Sequence, residues 1–219
     1  MTRPSIREAA LATIRDVGII PVIRAQNADA AFAVAEALID AGLAIAEITM
    51  TVPGAIDVIT AITKRFGDRV LVGAGTVTDV MSAKRAIGEG AQFIVTPCLI
   101  PDVIDATLKK DVAMLPGALT PTEVFRAHEL GGDMVKVFPV GVGGALYVRA
   151  LRGPFPKIPL VPSGGVTLDN VSDMFDAGAT AVGVGSEMIS RDALARHDYA
   201  AIGRMAQMFL AASRPGRAS

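Results

Sequence analysis

The chain has 219 residues, 51% hydrophobic and 20% charged, with a net charge of −1 and no tryptophan. That length is about what one (β/α)8 barrel needs, roughly 200–250 residues, and the composition allows a large aliphatic core. The even charge balance, without a basic block, argues against nucleic acid as a partner, and a single cysteine, Cys98, rules out an internal disulfide framework.

Residues 1–17 alternate charged and apolar positions at helical spacing, which predicts a helix covering the bottom of the fold rather than a signal peptide. Short runs rich in Val and Ile then alternate with Ala-rich amphipathic stretches. The runs are residues 19–24, 45–51, 70–75, 93–96, 113–116, 134–138, 159–162 and 181–185. They read as strands buried on both faces, as a parallel sheet requires. The helices between them are predicted over 27–41, ending at Gly42, and over 53–66, opening on Pro53. Further helices are predicted over 78–89 and 101–110, and from Thr120, where Thr-Pro-Thr-Glu has capping-box spacing. The last three span 144–151, 167–177 and 192–212, and residues 213–219 read as a frayed polar tail. Eight strand–helix units without a linker predict one domain over residues 1–219, a single (β/α)8 TIM barrel. An open doubly wound sheet is the alternative, but no glycine-rich dinucleotide turn follows Arg24. No apolar run approaches the ~18–20 residues of a membrane span, so a soluble cytoplasmic protein is expected.

Barrel active sites lie at the C-terminal ends of the strands, so polar residues inside or just beyond strands are informative. Of six lysines, Lys64, Lys84, Lys109, Lys110 and Lys157 fall on helices or loops, and Lys136 alone interrupts a strand. A buried ammonium is costly unless it is neutralised or paired, and a neutral lysine is what attacks a carbonyl to form a Schiff base. Glu47 is the one acidic residue well inside a strand, suited to moving protons during carbon–carbon cleavage. A structural Lys–Glu ion pair is the plain alternative for both. Thr49 and Thr51 share the Glu47 face by alternation. Arg24, Thr76, Pro97 and Ser163 stand at or beyond strand ends. Gly164-Gly165 and Gly185-Ser186 follow strands seven and eight, where many barrels bind phosphate through backbone N–H groups and a short helix, here residues 186–189. The alternative is that these glycines only make tight turns. His128 and His197 fall on predicted helices, no metal-ligand spacing is visible, and Cys98 reads as a small, partly buried loop residue.

The chain resembles the 2-keto-3-deoxy-6-phosphogluconate (KDPG) and 4-hydroxy-2-oxoglutarate (KHG) aldolases. The resemblance runs from about Gly18 to Ile189. It rests on Glu47-Ile-Thr-Met-Thr, Gly73-Ala-Gly-Thr-Val, Phe93-Ile-Val-Thr-Pro, Leu115-Pro-Gly, Lys136-Val-Phe-Pro, Gly153-Pro-Phe-Pro, Pro162-Ser-Gly-Gly-Val and Gly183-Val-Gly-Ser. It implies a Schiff-base role for Lys136, a proton shuttle at Glu47, and a keto-acid carboxylate contact at Thr76. Pro97 and Phe138 would wall the imine, and Gly164, Gly165, Gly185 and Ser186 would hold phosphate. It also implies a metal-independent, cofactor-free homotrimer acting on a phosphorylated 2-keto acid and releasing pyruvate. Many relatives carry an arginine where this chain has Thr51, which leaves Arg24 as the nearest cationic substitute. Gluconate-type relatives tend to have a hydroxyl residue at Ser163, and galactonate-type relatives an apolar one.

The leading expectation is retro-aldol cleavage of KDPG to pyruvate and glyceraldehyde 3-phosphate. The galactonate epimer and unphosphorylated KHG are alternative substrates. A sugar-phosphate isomerase or epimerase using Glu47 as base, without a covalent step, and a non-catalytic phosphate binder are the readings from other classes.

Overall fold

The computed structural model describes residues 4–213. The residue 1–3 end of the first predicted helix, and the predicted tail beyond Ser213, lie outside the described residues. The chain is an α/β fold in which every paired strand is parallel to its neighbours. Helix α1 (Ile6–Val17) opens with a Ser5/Glu8 capping box and stops at Gly18, whose φ of 75° ends the helix in the left-handed region. Strands β1 (Ile19–Ile23), β2 (Ile45–Thr49), β3 (Leu71–Gly75), β4 (Phe93–Val95) and β5 (Ala113–Leu115) follow, separated by helices α2 (Ala28–Asp40), α3 (Ala55–Phe66), α4 (Val80–Gly88) and α5 (Pro101–Leu108). Then come β6 (Gly117–Ala118), α6 (Pro121–Glu129), β7 (Val135–Val137), α7 (Gly144–Arg152), β8 (Leu160–Pro162), α8 (Val171–Asp176) and β9 (Val182–Val184). Two helices, α9 (Arg191–Ala195) and α10 (Tyr199–Ala212), complete the described chain.

The strands form a curled six-stranded sheet, β5-β4-β3-β2-β1-β9, and a three-stranded sheet, β6-β7-β8. A single parallel bridge, Ser163 to Gly183, links β8 to β9. Alternate side chains divide the core in two. Outward residues pack under the helices. Inward residues such as Ile20, Ile45, Leu71, Phe93, Met134 and Val161 form a second cluster, closed by Ala10, Leu11 and Ile14 of α1. Helix α1 therefore packs over one end of the inner face. The Arg7–Asp133 ion pair at 2.7 Å fastens it there.

Several boundaries differ from the sequence reading, each for a local reason. The predicted fifth strand divides at Pro116, which has no N–H to give a ladder. Before Pro116 the chain pairs with β4, and beyond it Gly117 pairs with Lys136. The helix expected from Pro53 begins at Ala55, because Gly54 stands at φ 74° and ends the preceding turn. Asp79 caps α4, so that helix starts two residues later than expected. Residues 167–170 form a turn closed by the Asn170 side chain, which shortens α8. The long terminal helix is two helices: His197 takes φ 55°, and Asp198 caps a new start by accepting from Ala201 N. His197 therefore lies between helices, not on one. Helix α6 has the capping box predicted at Thr120 and Glu123. Among the described residues no helix is long and apolar enough to cross a membrane.

Candidate active site

Lys136 sits mid-β7, flanked in register by Gly117 and Val161, and Glu47 sits mid-β2, flanked by Val22 and Gly73. Both are almost fully enclosed, with 5% and 2% of their surface exposed. The other five lysines are exposed, so the strand position singled out the buried one. Lys136 Nζ lies 3.8 Å from Glu47 Oε1, and 5.5 Å from the centre of the Phe138 ring. That spacing is beyond hydrogen-bond reach, and Glu47 Oε1 is buried with no hydrogen-bond partner. Burial pushes the Glu47 carboxyl above the usual carboxylate range, against the opposing charges of Lys136 and Arg24. An enclosed carboxyl with an unused oxygen, beside an amine it does not touch, is poised to exchange protons with a third molecule.

Small residues make the room. A Cβ on Gly75 would fall 1.9 Å from Glu47 Oε1, and one on Gly73 would fall 2.3 Å from the Phe93 ring. Gly117 does the same for the β4 loop: a Cβ there would meet the Pro97 carbonyl carbon at 2.4 Å. Thr96 fixes that loop by donating to Cys98 O and accepting from Gly117 N, at 2.7 and 3.1 Å. Pro97 is thus held beside the strand that pairs with Lys136. Cys98 is exposed in that loop rather than partly buried, because its backbone, not its side chain, faces Thr96 and Gly117.

The polar ends of the other strands surround the pair. Thr49 Oγ1 donates to Ile23 O at 2.9 Å and contacts Thr51 Oγ1 at 2.8 Å. Thr49 has one proton and gives it to the carbonyl, so Thr51 is the donor of the second bond. Thr51 itself lies beyond β2 and is exposed. Thr76 follows β3 in the left-handed region, φ 54°, a conformation that costs a threonine about 1 kcal/mol or more and is typical of functional positions. Ser163 is buried, on the face that carries Val161 and one layer above Lys136. Its Oγ packs over Gly183, where a Cβ would stand 2.5 Å away, and it has no hydrogen-bond partner among the described residues.

The glycine turn after β8 lies against the loop after β7. Gly141 N donates to Gly164 O at 2.8 Å, and a Cβ on Gly165 would strike Gly141 Cα at 2.6 Å. A Cβ on Gly164 would meet the Phe138 ring at 2.7 Å. Both glycines have positive φ, 73° and 111°, so the turn needs them for conformation as well as space. Residues 186–189 make one turn, closed by Met188 N and Ile189 N on Gly185 O, rather than the short helix expected. The N–H groups of Gly165 and Ser186 meet no backbone acceptor among the described residues. Ser186, Gly185 and Arg24 line a cavity of about 410 Å³ that also takes in Arg191 and Gln26. Sequence reading missed these last two, because the turn after β9 meets the end of β1 only on folding. A larger cavity, about 830 Å³, lies at the opposite end beside α1. Among the described residues no three His, Cys, Asp or Glu side chains converge as metal ligands.

Residues 11–205 match the KDPG and KHG aldolase family model. The chain belongs to this family. It is an aldolase, and so a carbon–carbon lyase. It is 34% identical over 195 residues to the 2-dehydro-3-deoxy-phosphogluconate aldolase of Treponema pallidum, covering 89% of this chain and 92% of that protein. It is 36% identical over 171 residues to the 2-dehydro-3-deoxy-6-phosphogalactonate aldolase of Escherichia coli, covering 78% and 83%. A crystal structure of KDPG aldolase from Legionella pneumophila, with pyruvate captured at low pH as a covalent carbinolamine, superposes with a TM-score of 0.83 at 27% identity over 90% of this chain and 96% of that one.

Proposed function

We propose that this aldolase cleaves KDPG to pyruvate and glyceraldehyde 3-phosphate through a Schiff base on Lys136. The observation that carries this reading is the enclosure of Lys136 and Glu47 side by side, with Nζ 3.8 Å from a buried Glu47 Oε1 that has no hydrogen-bond partner. That oxygen is left available to a substrate or a water. The pyruvate carbinolamine of the Legionella relative supports the same covalent chemistry.

The Lys136 amine attacks C2 of the keto acid, and loss of water leaves a protonated imine. Glu47, through a water, takes the C4 hydroxyl proton. The C3–C4 bond breaks, its electron pair flows into the imine, and glyceraldehyde 3-phosphate departs. The enamine takes a proton at C3, and hydrolysis of the imine releases pyruvate and restores Lys136. Phe138 and Pro97 wall the imine, and Thr76 donates to the keto-acid carboxylate. Thr51 has spent its proton on Thr49 and offers that carboxylate only lone pairs, so Arg24 is the partner that supplies charge. Gly164, Gly165, Gly185 and Ser186 receive the phosphate, chiefly through the N–H groups of Gly165 and Ser186. Relatives of both epimer types are similar to this chain, so overall identity does not choose between them. The free Ser163 hydroxyl favours the gluconate epimer.

This reading includes one domain whose strands close into a (β/α)8 barrel. Continuity of β5 with β6 across Pro116 and the Ser163–Gly183 bridge both support closure. It also includes a trimer, supported by exposed apolar side chains at Phe125, Leu146 and Val142, and a cytoplasmic setting, which suits the exposed thiol of Cys98. The test is product analysis. Incubation with KDPG should release pyruvate, detected by a coupled dehydrogenase, and Lys136→Ala should abolish that release. An isomerised sugar phosphate without pyruvate would instead establish the non-covalent alternative.

A further inference from the structure

The cavity beside the Gly185–Ser186 turn is lined by two arginines, Arg24 and Arg191, and by no carboxylate residue. Like charges sharing one cavity repel, and the arrangement persists only where solvent or an anion compensates. Arg7, Arg65, Arg126 and Arg196 each pair with a carboxylate, and other unpaired arginines such as Arg85 and Arg204 line cavities that also contain a carboxylate, Asp79 and Asp40. Arg24 and Arg191 make no ion pair and no side-chain hydrogen bond among the described residues. Asp192, the acidic neighbour of Arg191 in sequence, is turned aside by its own ion pair with Arg196. The Arg191 backbone is fixed, because Ser190 caps the helix it opens by accepting from Ala193 N at 3.1 Å. The turn that carries Ser186 is closed by two bonds to Gly185 O. The rim thus brings Arg191, Gln26 and Ser186 to one space.

Arg24 serves two places, since its charge also acts on Glu47. Arg191 lines only the cavity. We infer that Arg191 is a specificity-determining residue that reads the terminal phosphate of the substrate and so sets the preference for phosphorylated over unphosphorylated 4-hydroxy-2-oxo acids. The inference rests on the aldolase reading of Lys136. A planar guanidinium matches two phosphate oxygens at once, which an unphosphorylated chain end cannot use.

The experiment compares kcat/KM for KDPG and for unphosphorylated 4-hydroxy-2-oxoglutarate in the parent, Arg191→Ala and Arg191→Lys. Arg191→Ala should lower the KDPG value about ten- to hundredfold, the worth of one charge-assisted hydrogen bond, mostly through KM. The value for 4-hydroxy-2-oxoglutarate should stay within about twofold, and Arg191→Lys should recover part of the loss, as retained charge requires. Inorganic phosphate, as a competitive inhibitor of KDPG cleavage, should weaken in parallel in Arg191→Ala. An equal fall on both substrates would make Arg191 merely structural and overturn the inference, as would no fall on either. Borohydride trapping of pyruvate on Lys136 should be unchanged in both variants. Failure of trapping in the parent would instead indict the aldolase mechanism, so the two failures are distinguishable.

Discussion

Gly75→Ala tests whether the position of the Glu47 carboxyl, and not only its presence, governs turnover. The added Cβ would lie 1.9 Å from Glu47 Oε1, 2.6 Å from Cδ and 2.7 Å from Cγ, where ordinary contact begins at 3.4 Å. The carboxyl must therefore retreat by about 1.5 Å (3.4 − 1.9), or the strands must part. Gly75 does not have positive φ, so the methyl adds no backbone strain and the effect is steric. A misplacement of about 1 Å near reacting atoms can cost 10²-fold, so kcat/KM for KDPG cleavage should fall on the order of 10²-fold or more. Overpacking should also cost about 1–3 kcal/mol of stability, read as a lower Tm. Glu47→Ala removes the atoms that the methyl strikes. In that background Gly75→Ala should no longer destabilise, a coupling that a double-mutant cycle measures. A Gly75→Ala enzyme within about threefold of the parent would refute the reasoning, because a carboxyl that can be displaced without consequence is not the proton shuttle.

Glu47→Gln keeps the side-chain shape and removes the base, so turnover should drop by about 10²–10⁴, while pyruvate trapping persists at a reduced rate. Burial raises the Glu47 pKa and the base works when ionised, so activity should rise with pH through a limb lying above the usual carboxylate range. That limb should vanish in Glu47→Gln, and one in the ordinary carboxylate range would contradict the burial argument. Ser163→Val should erode the preference for the gluconate over the galactonate epimer by roughly ten- to hundredfold, the effect of one buried hydroxyl, with little change in pyruvate trapping. An unchanged epimer ratio would remove Ser163 from the selectivity argument. EDTA should leave activity intact, and loss restored by a divalent ion would indicate a different aldolase chemistry.

The strands were legible because burial on both faces writes unbroken Val and Ile runs, and Lys136 and Glu47 stood out as charges within such runs. Capping boxes marked α6 in the sequence because both partners are local. What was less legible depends on contacts between distant segments or on single dihedrals. Pro116 transfers the chain from β4 to β7, and His197 turns a predicted long helix into two. The glycines of the Gly-Ala-Gly motif were visible as a motif. That Gly75 exists to seat Glu47 needs the register of β2 on β3. Arg191 shows the limit most clearly, since it is an ordinary charged residue until the turn after β9 closes against the end of β1.

The central claim is that Lys136 forms a covalent imine with a 2-keto acid. Borohydride reduction in the presence of pyruvate, followed by peptide mass analysis, tests it most directly. A stable pyruvate-derived adduct on the peptide containing Lys136, with matching loss of activity, is the predicted result. An unmodified Lys136 in an enzyme that still cleaves KDPG at its full rate would contradict it.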